Sequence, residues 1–167
     1  MAARAMRRGS FRTVGVVYQS LHAIGTRRTI EAVSEQAALA GYATTLLPIT
    51  AATGLATSGT FTRLEEMSVD VLVMVVTWQS ESEAPLRTPP GVPTIVLGAR
   101  LDESMSALRS DQAGGTTAAV QHLLAAGHDT VHYISGPDRS YFSAQRRAAW
   151  SEQLVEAGRP VPDVLRG

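Results

Sequence analysis

The chain contains no cysteine and no lysine. Without thiols it can form neither disulfides nor thiolate metal sites, and it has no cysteine nucleophile. All fifteen basic residues are arginine, a usage that points to a GC-rich coding sequence rather than to a mechanism. No apolar run approaches the ~20 residues that cross a bilayer. The first residues carry Arg4, Arg7 and Arg8 but lack the apolar core and cleavage site of a signal peptide. These absences predict a cytoplasmic protein with no membrane association.

Catalytic signatures are also missing. Gly114-Gly115-Thr116-Thr117 sits at a predicted helix start, where free N–H groups suit a phosphate, but no Gly-Lys-Ser/Thr follows to make a phosphate-binding loop. His128 and His132 flank a predicted strand with neither a cysteine nor a second acid nearby to complete a zinc site. Spacing yields no nucleophile elbow and no paired catalytic carboxylates. The sequence therefore implies a binding protein rather than an enzyme, with no metal and no cofactor.

What is present suits an ordinary globular chain: 167 residues, 44 % hydrophobic, 18 % charged. A chain of this length buries roughly 70 % of its unfolded surface and supports a sizeable core. Its net charge is zero, yet Arg4, Arg7, Arg8, Arg12, Arg27 and Arg28 all precede the first acid, Glu31. Such asymmetry is expected of a segment that faces nucleic acid.

Along the chain, apolar runs of strand character alternate with helical periodicity. Thr13–Tyr18 reads as a strand and Gln19 to Gly25 as a polar loop; Thr26 then opens a helix carrying Ile30, Val33 and Ala37 until Gly41 stops it. A strand over Tyr42 to Ile49, a small-residue loop over Ala51 to Gly59 and a short helix marked by Phe61, Leu64 and Met67 follow. Val69 to Val76 is apolar at almost every position, as expected of a central parallel strand covered on both faces. A loop from Trp78 to Pro93, with Pro85, Pro89 and Pro90, separates it from a strand at Thr94–Leu97; a short strand at Ala107 to Ser110 and a helix from Ala113 to Ala126 come next. The later elements are a strand over Thr130 to Ser135 and a helix from about Ser143 to Ala157, closed by Gly158. This alternation predicts an α/β fold with a doubly wound parallel sheet.

Two short stretches carry more specific information. Ser110-Asp111-Gln112-Ala113-Gly114-Gly115 places a strand end, a capping Asp and glycines at a helix start. Gln121-His122-Leu123-Leu124-Ala125-Ala126-Gly127-His128 ends that helix on a glycine, and Val131-His132-Tyr133-Ile134-Ser135-Gly136-Pro137 follows as a strand and turn. In this order they resemble the sensor domain of the LacI/GalR family of bacterial transcriptional regulators, with Gln112 where the family usually has Asn. Arg146-Arg147-Ala148-Ala149-Trp150 resembles the family's Arg-x-x-Gly-aromatic pattern, Ala149 standing for the Gly.

The resemblance implies a periplasmic-binding-protein-like (type I) fold and divides the chain into three parts. Residues 1–12 correspond to a hinge-helix remnant and linker, 13–127 to the first sensor subdomain, and 128–167 to the start of an incomplete second one. The chain is thus expected to be truncated at both ends, with residues 128–167 docking on the first subdomain, joining another chain or staying mobile. In the family the hinge lies in the DNA minor groove, so Arg4, Arg7 and Arg8 would meet phosphates while Met6 takes the place of a wedging leucine. Operator DNA is then a partner of the full-length protein. The family also implies a homodimer, with Phe61, Leu64 and Met67 as candidate contacts.

Ligands of open α/β sheets bind beyond the carboxyl ends of the strands. The candidates there are Tyr18, Ser20, His22 and Ile24 after the first strand, Trp78 after the third, and Phe142 and Arg146 after the sixth; Asp111 is a helix cap first and a ligand residue second. Aromatic faces with polar groups and an arginine fork suit a sugar. The implied function is a transcriptional regulator, in repressor form, that senses a sugar-like small-molecule effector. Competing readings are a solute-binding protein of the same fold, a flavodoxin-like α/β module, and a non-functional or dimer-modulating fragment.

Overall fold

The computed structural model describes residues 11–49, 68–76, 90–98, 106–138 and 140–166. The proposed hinge residues Arg4, Met6, Arg7 and Arg8 lie outside them, as do Phe61, Leu64, Met67 and Trp78. Two compact units divide the chain, Met1–Leu108 and Arg109–Gly167.

The first unit contains β1 (Thr13–Tyr18), α1 (Ile24–Leu39), β2 (Ala43–Pro48), β3 (Val71–Val75), β4 (Thr94–Leu97) and β5 (Ser106–Leu108). Every pairing is parallel, in the order β2-β1-β3-β4-β5. The uninterrupted apolar run of β3 has the expected cause. Leu72 and Met74 join Val17, Leu47, Ile49, Val76 and Val96 on one face, while Val73 and Val75 join Val14 and Val16 on the other. Ile30 and Ala37 of α1 are buried in that second cluster, with Val33 packed against it. Helical spacing therefore sets one stripe of α1 onto the sheet and leaves Ile24 and Leu39 exposed at its two ends. The helix closes where Gly41 adopts φ +78°, a left-handed conformation that glycine takes without a steric penalty. The Tyr42 N–H then bonds the Ala37 carbonyl at 2.8 Å.

The last strand of this sheet ends earlier than the sequence implies. It covers Ser106–Leu108 rather than Ala107–Ser110, because Ser110 belongs to the approach of the next helix. Its carbonyl accepts from the Gln112 N–H at 2.9 Å and its hydroxyl from Gln112 Nε2 at 2.6 Å.

The second unit holds α2 (Gln112–Ala125), β6 (Ile134–Ser135), α3 (Tyr141–Glu156) and β7 (Leu165–Arg166). Its core is Val120, Trp150 and Leu154, with Leu124, Val131, Tyr133 and Val164 packed around them. In this unit α2 and α3 share one apolar cluster. With α2 included, residues that a lone strand and helix would leave uncovered acquire an apolar partner. The strand expected over Thr130 to Ser135 contracts to Ile134–Ser135. Upstream, the Val131 carbonyl is taken by Trp150 Nε1–H at 2.7 Å, and Val131 and Tyr133 pack on the helices. The parallel partner of β6, Leu165–Arg166, has no forerunner in the sequence reading.

Candidate functional site

The strand order places a reversal between β1 and β3, the position where open α/β sheets leave a crevice beyond the carboxyl ends of their strands. Tyr18 ends β1 there, opposite Val75 of β3 on one side and Pro48 of β2 on the other. Its side chain is half-buried against the Val14–Val16 face. The short loop that follows is shaped by Ser20, whose hydroxyl accepts from the His22 N–H at 3.1 Å. A hydroxyl bonding its backbone two residues on favours such a tight turn. His22 is exposed, as are Leu21 and Ile24, the latter 69 % exposed at the first residue of α1. Tyr18, Ser20, His22 and Ile24 are thus gathered at one end of β1, where apolar and polar groups lie side by side. Leu21 was not among the sequence candidates, since an isolated leucine in a polar loop carries no recognisable signal.

In the second unit, Asp111 has the capping role expected of an Asp just before a helix. Its Oδ1 accepts from the Gly114 N–H at 2.8 Å. Gly114 suits this arrangement, because a Cβ there would overlap the Asp111 carboxylate. Replacing Asp111 by Ala should lower the stability of this unit by about 1 kcal/mol, the usual cost of a lost cap. Urea unfolding of the variant measures it, and a change beyond a few tenths of that size in either direction would show that the carboxylate does more, or less, than cap.

The start of α3 is built by hydroxyls. Ser140 caps it by accepting from the Ser143 N–H at 3.3 Å, which is why the helix begins at Tyr141 and not at Ser143. Buried Ser143 in turn meets the Tyr133 hydroxyl, which donates to its carbonyl at 3.1 Å, and lies 3.2 Å from the Ser135 hydroxyl. This network ties the end of β6 to the first turn of α3. Sequence reasoning missed it, although a serine just before a helical run is the cue that would have found Ser140.

Phe142 and Arg146 project from those first turns. Phe142 is half-buried, its ring centroid 6.2 Å from that of Tyr141. Arg146 is exposed, and its Nε donates to the Phe142 carbonyl at 3.2 Å. Among the described residues, the two terminal amino groups of its guanidinium make no protein hydrogen bond. The helix thus steadies the arginine through one N–H. Ala149, where the resemblance calls for glycine, is buried within α3 without interrupting it. Among the described residues no three His, Asp or Glu gather into a metal site, and no helix is long and apolar enough to cross a membrane.

A sequence profile described as periplasmic binding proteins and the sugar-binding domain of the LacI family matches residues 12–165. The chain belongs to this family. No match is found among curated proteins. Solved structures of LacI-type proteins share the fold. The Escherichia coli transcriptional repressor AscG is 19 % identical with a TM-score of 0.75, covering 93 % of this chain and 58 % of its own. The lac repressor dimer bound to operator and the anti-inducer ONPF is 20 % identical, with a TM-score of 0.74 over 99 % of this chain and 58 % of that one. The complex of the transcriptional regulator CelR with cellobiose is 18 % identical, with a TM-score of 0.68 over 99 % and 55 %. The chain thus spans between half and two thirds of the length of these proteins. The LacI-type, periplasmic-binding-protein-like architecture implied by the capping and glycine motifs is the one the fold displays.

Proposed function

We propose that this LacI-family chain is the effector-sensing part of a DNA-binding transcriptional regulator, in repressor form, and that its effector is a sugar or a related polyhydroxylated metabolite. The observation that carries the reading is the exposed Arg146 fork, steadied by its own helix at the carboxyl end of β6. A guanidinium with free donors suits vicinal hydroxyls, and Phe142 offers an apolar edge beside it. In the first unit, Tyr18, Ser20, His22 and Ile24 offer a second such face. Trp78 follows β3 in the sequence and lies outside the described residues. Asp111 contributes less, because its carboxylate is engaged as a cap.

Support for the class of ligand and partner comes from relatives of the same fold, one in complex with cellobiose and one a dimer on operator DNA. By analogy the cytoplasmic protein acts as a homodimer. Arg4, Arg7 and Arg8 bind phosphates, and Met6 inserts in the minor groove. Its activity is binding, not turnover: effector affinity must differ between two arrangements of the sensor for DNA affinity to change.

Thermal unfolding in the presence of a panel of mono- and disaccharides tests the proposal. One structurally related group of sugars is expected to raise the midpoint in a saturable, concentration-dependent manner, as any ligand of the native state must. A panel without any such sugar would overturn the sugar-sensing reading.

A further inference from the structure

The entrance to β1 carries an unusual feature. Arg12 has φ +52°, a left-handed conformation that costs a non-glycine residue energy and persists where its surroundings over-determine it. Here the surroundings do so from several sides. The N–H groups of Phe11 and Thr13, which flank it, donate to Oδ1 and Oδ2 of Asp70, each at 2.8 Å. The Arg12 carbonyl accepts from the Ala43 N–H at 2.8 Å, and the Thr13 carbonyl from the Asp70 N–H at 2.9 Å. Arg12 Nη1 lies where a Cβ on Gly41 would come within 3.3 Å, so its side chain crosses the end of α1.

Both oxygens of one carboxylate thus hold two backbone amides separated by a single left-handed residue. Charge-assisted bonds of this kind are stronger than neutral ones. Asp70 immediately precedes β3, whose far end, Val75, pairs with Tyr18 at the candidate binding face. One rigid strand therefore has the binding end of the first unit at its carboxyl terminus and this clamp at its amino terminus.

We propose that Asp70 is a positioning residue that locks the backbone at Phe11–Thr13, which follows residues 1–10 in the sequence, where the chain enters β1. Its regulatory use rests on the reading that those residues lead to DNA; the lock itself does not. Strand β3 then supplies a direct mechanical link from the effector face to the N-terminal segment.

Because the chain has no cysteine, a nitroxide on Phe11→Cys is a single reporter at the clamp, and one on the exposed Leu39→Cys is a control. The label at position 11 is expected to give an immobilised spectrum that sharpens with Asp70→Ala and, to a lesser degree, with Asp70→Asn. Amide exchange at positions 11 and 13 should accelerate about tenfold, the equivalent of one lost hydrogen bond, while the label at position 39 and the amide of Val73 remain unchanged. Arg12→Gly, which accommodates the left-handed turn, should keep the label immobile, and Arg12→Val should release it. An unchanged spectrum with Asp70→Ala would overturn the proposal. So would a uniform loosening that also reaches Val73, since Asp70 would then be a general stabiliser of the sheet. If Asp70→Ala does not fold, the Arg12 pair decides the matter: equal spectra for Gly and Val would refute the lock. None of these outcomes depends on the sugar panel, so the two readings fail separately.

Discussion

Trp150→Ala is expected to destabilise the second unit by about 3–5 kcal/mol, the range for removing a large buried aromatic. Trp150 is 2 % exposed and stacks on Tyr133 with ring centroids 5.4 Å apart. Its Nε1–H also bonds the Val131 carbonyl at 2.7 Å. A small unit has few other apolar residues to absorb the loss, so its cooperative unfolding should move to a much lower urea concentration. Trp150→Phe separates the contributions: the ring still covers Tyr133, but the Val131 carbonyl loses its donor, for about 1–3 kcal/mol. Circular dichroism in urea measures both variants, and the wild-type fluorescence contains only one other tryptophan, Trp78. A Trp150→Ala cost below about 1 kcal/mol, ordinary for an unremarkable site, would mean that this ring does not organise the core.

Arg146→Ala is expected to weaken binding of the sugar found in the panel by about a hundredfold, near 3 kcal/mol, as for the loss of charge-assisted hydrogen bonds. The folded state should hardly notice. Arg146 is exposed and its described contact is with its own helix, so the unfolding midpoint should stay within about 0.5 kcal/mol of wild type. Arg146→Lys should recover little, because an ammonium lacks the planar fork that meets two hydroxyls at once. The neighbouring Arg147, also exposed, provides the comparison: Arg147→Ala should bind as wild type does. Calorimetric titration of the four proteins gives the answer, and equal losses at Arg146 and Arg147 would reduce both to a general charge effect.

These expectations depend differently on what the sequence made legible. The strands Thr13–Tyr18 and Thr94–Leu97 are legible to the residue, because short apolar runs bounded by polar or turn-forming residues have few alternatives when helices must cover both faces. The Asp111 cap was legible for a local reason: an Asp three residues before a glycine at a helix start can meet its own backbone. Helix starts fared less well. The helix at Ile24 begins after Ala23, which provides no side-chain cap, so periodicity alone could not find its first turn. The start of α3 carries a local signal in Ser140, a capping serine just before the helical run.

The sequence by itself determined the family, the parallel α/β class and the residues that gather after β1 and β6, because capping, glycine stops and strand runs act over a few residues. Tertiary structure alone decided which unit α2 joins, since that depends on Val120 finding Trp150 and Leu154 across thirty residues of chain. It also decided that β6 pairs only at Ile134–Ser135, where Leu165–Arg166 happens to arrive. The clamp at Asp70 belongs to the same class. Nothing near Asp70 in the sequence announces that its carboxylate will close on Phe11 and Thr13, because the partners of a buried or half-buried polar group are set by which backbones the fold brings together.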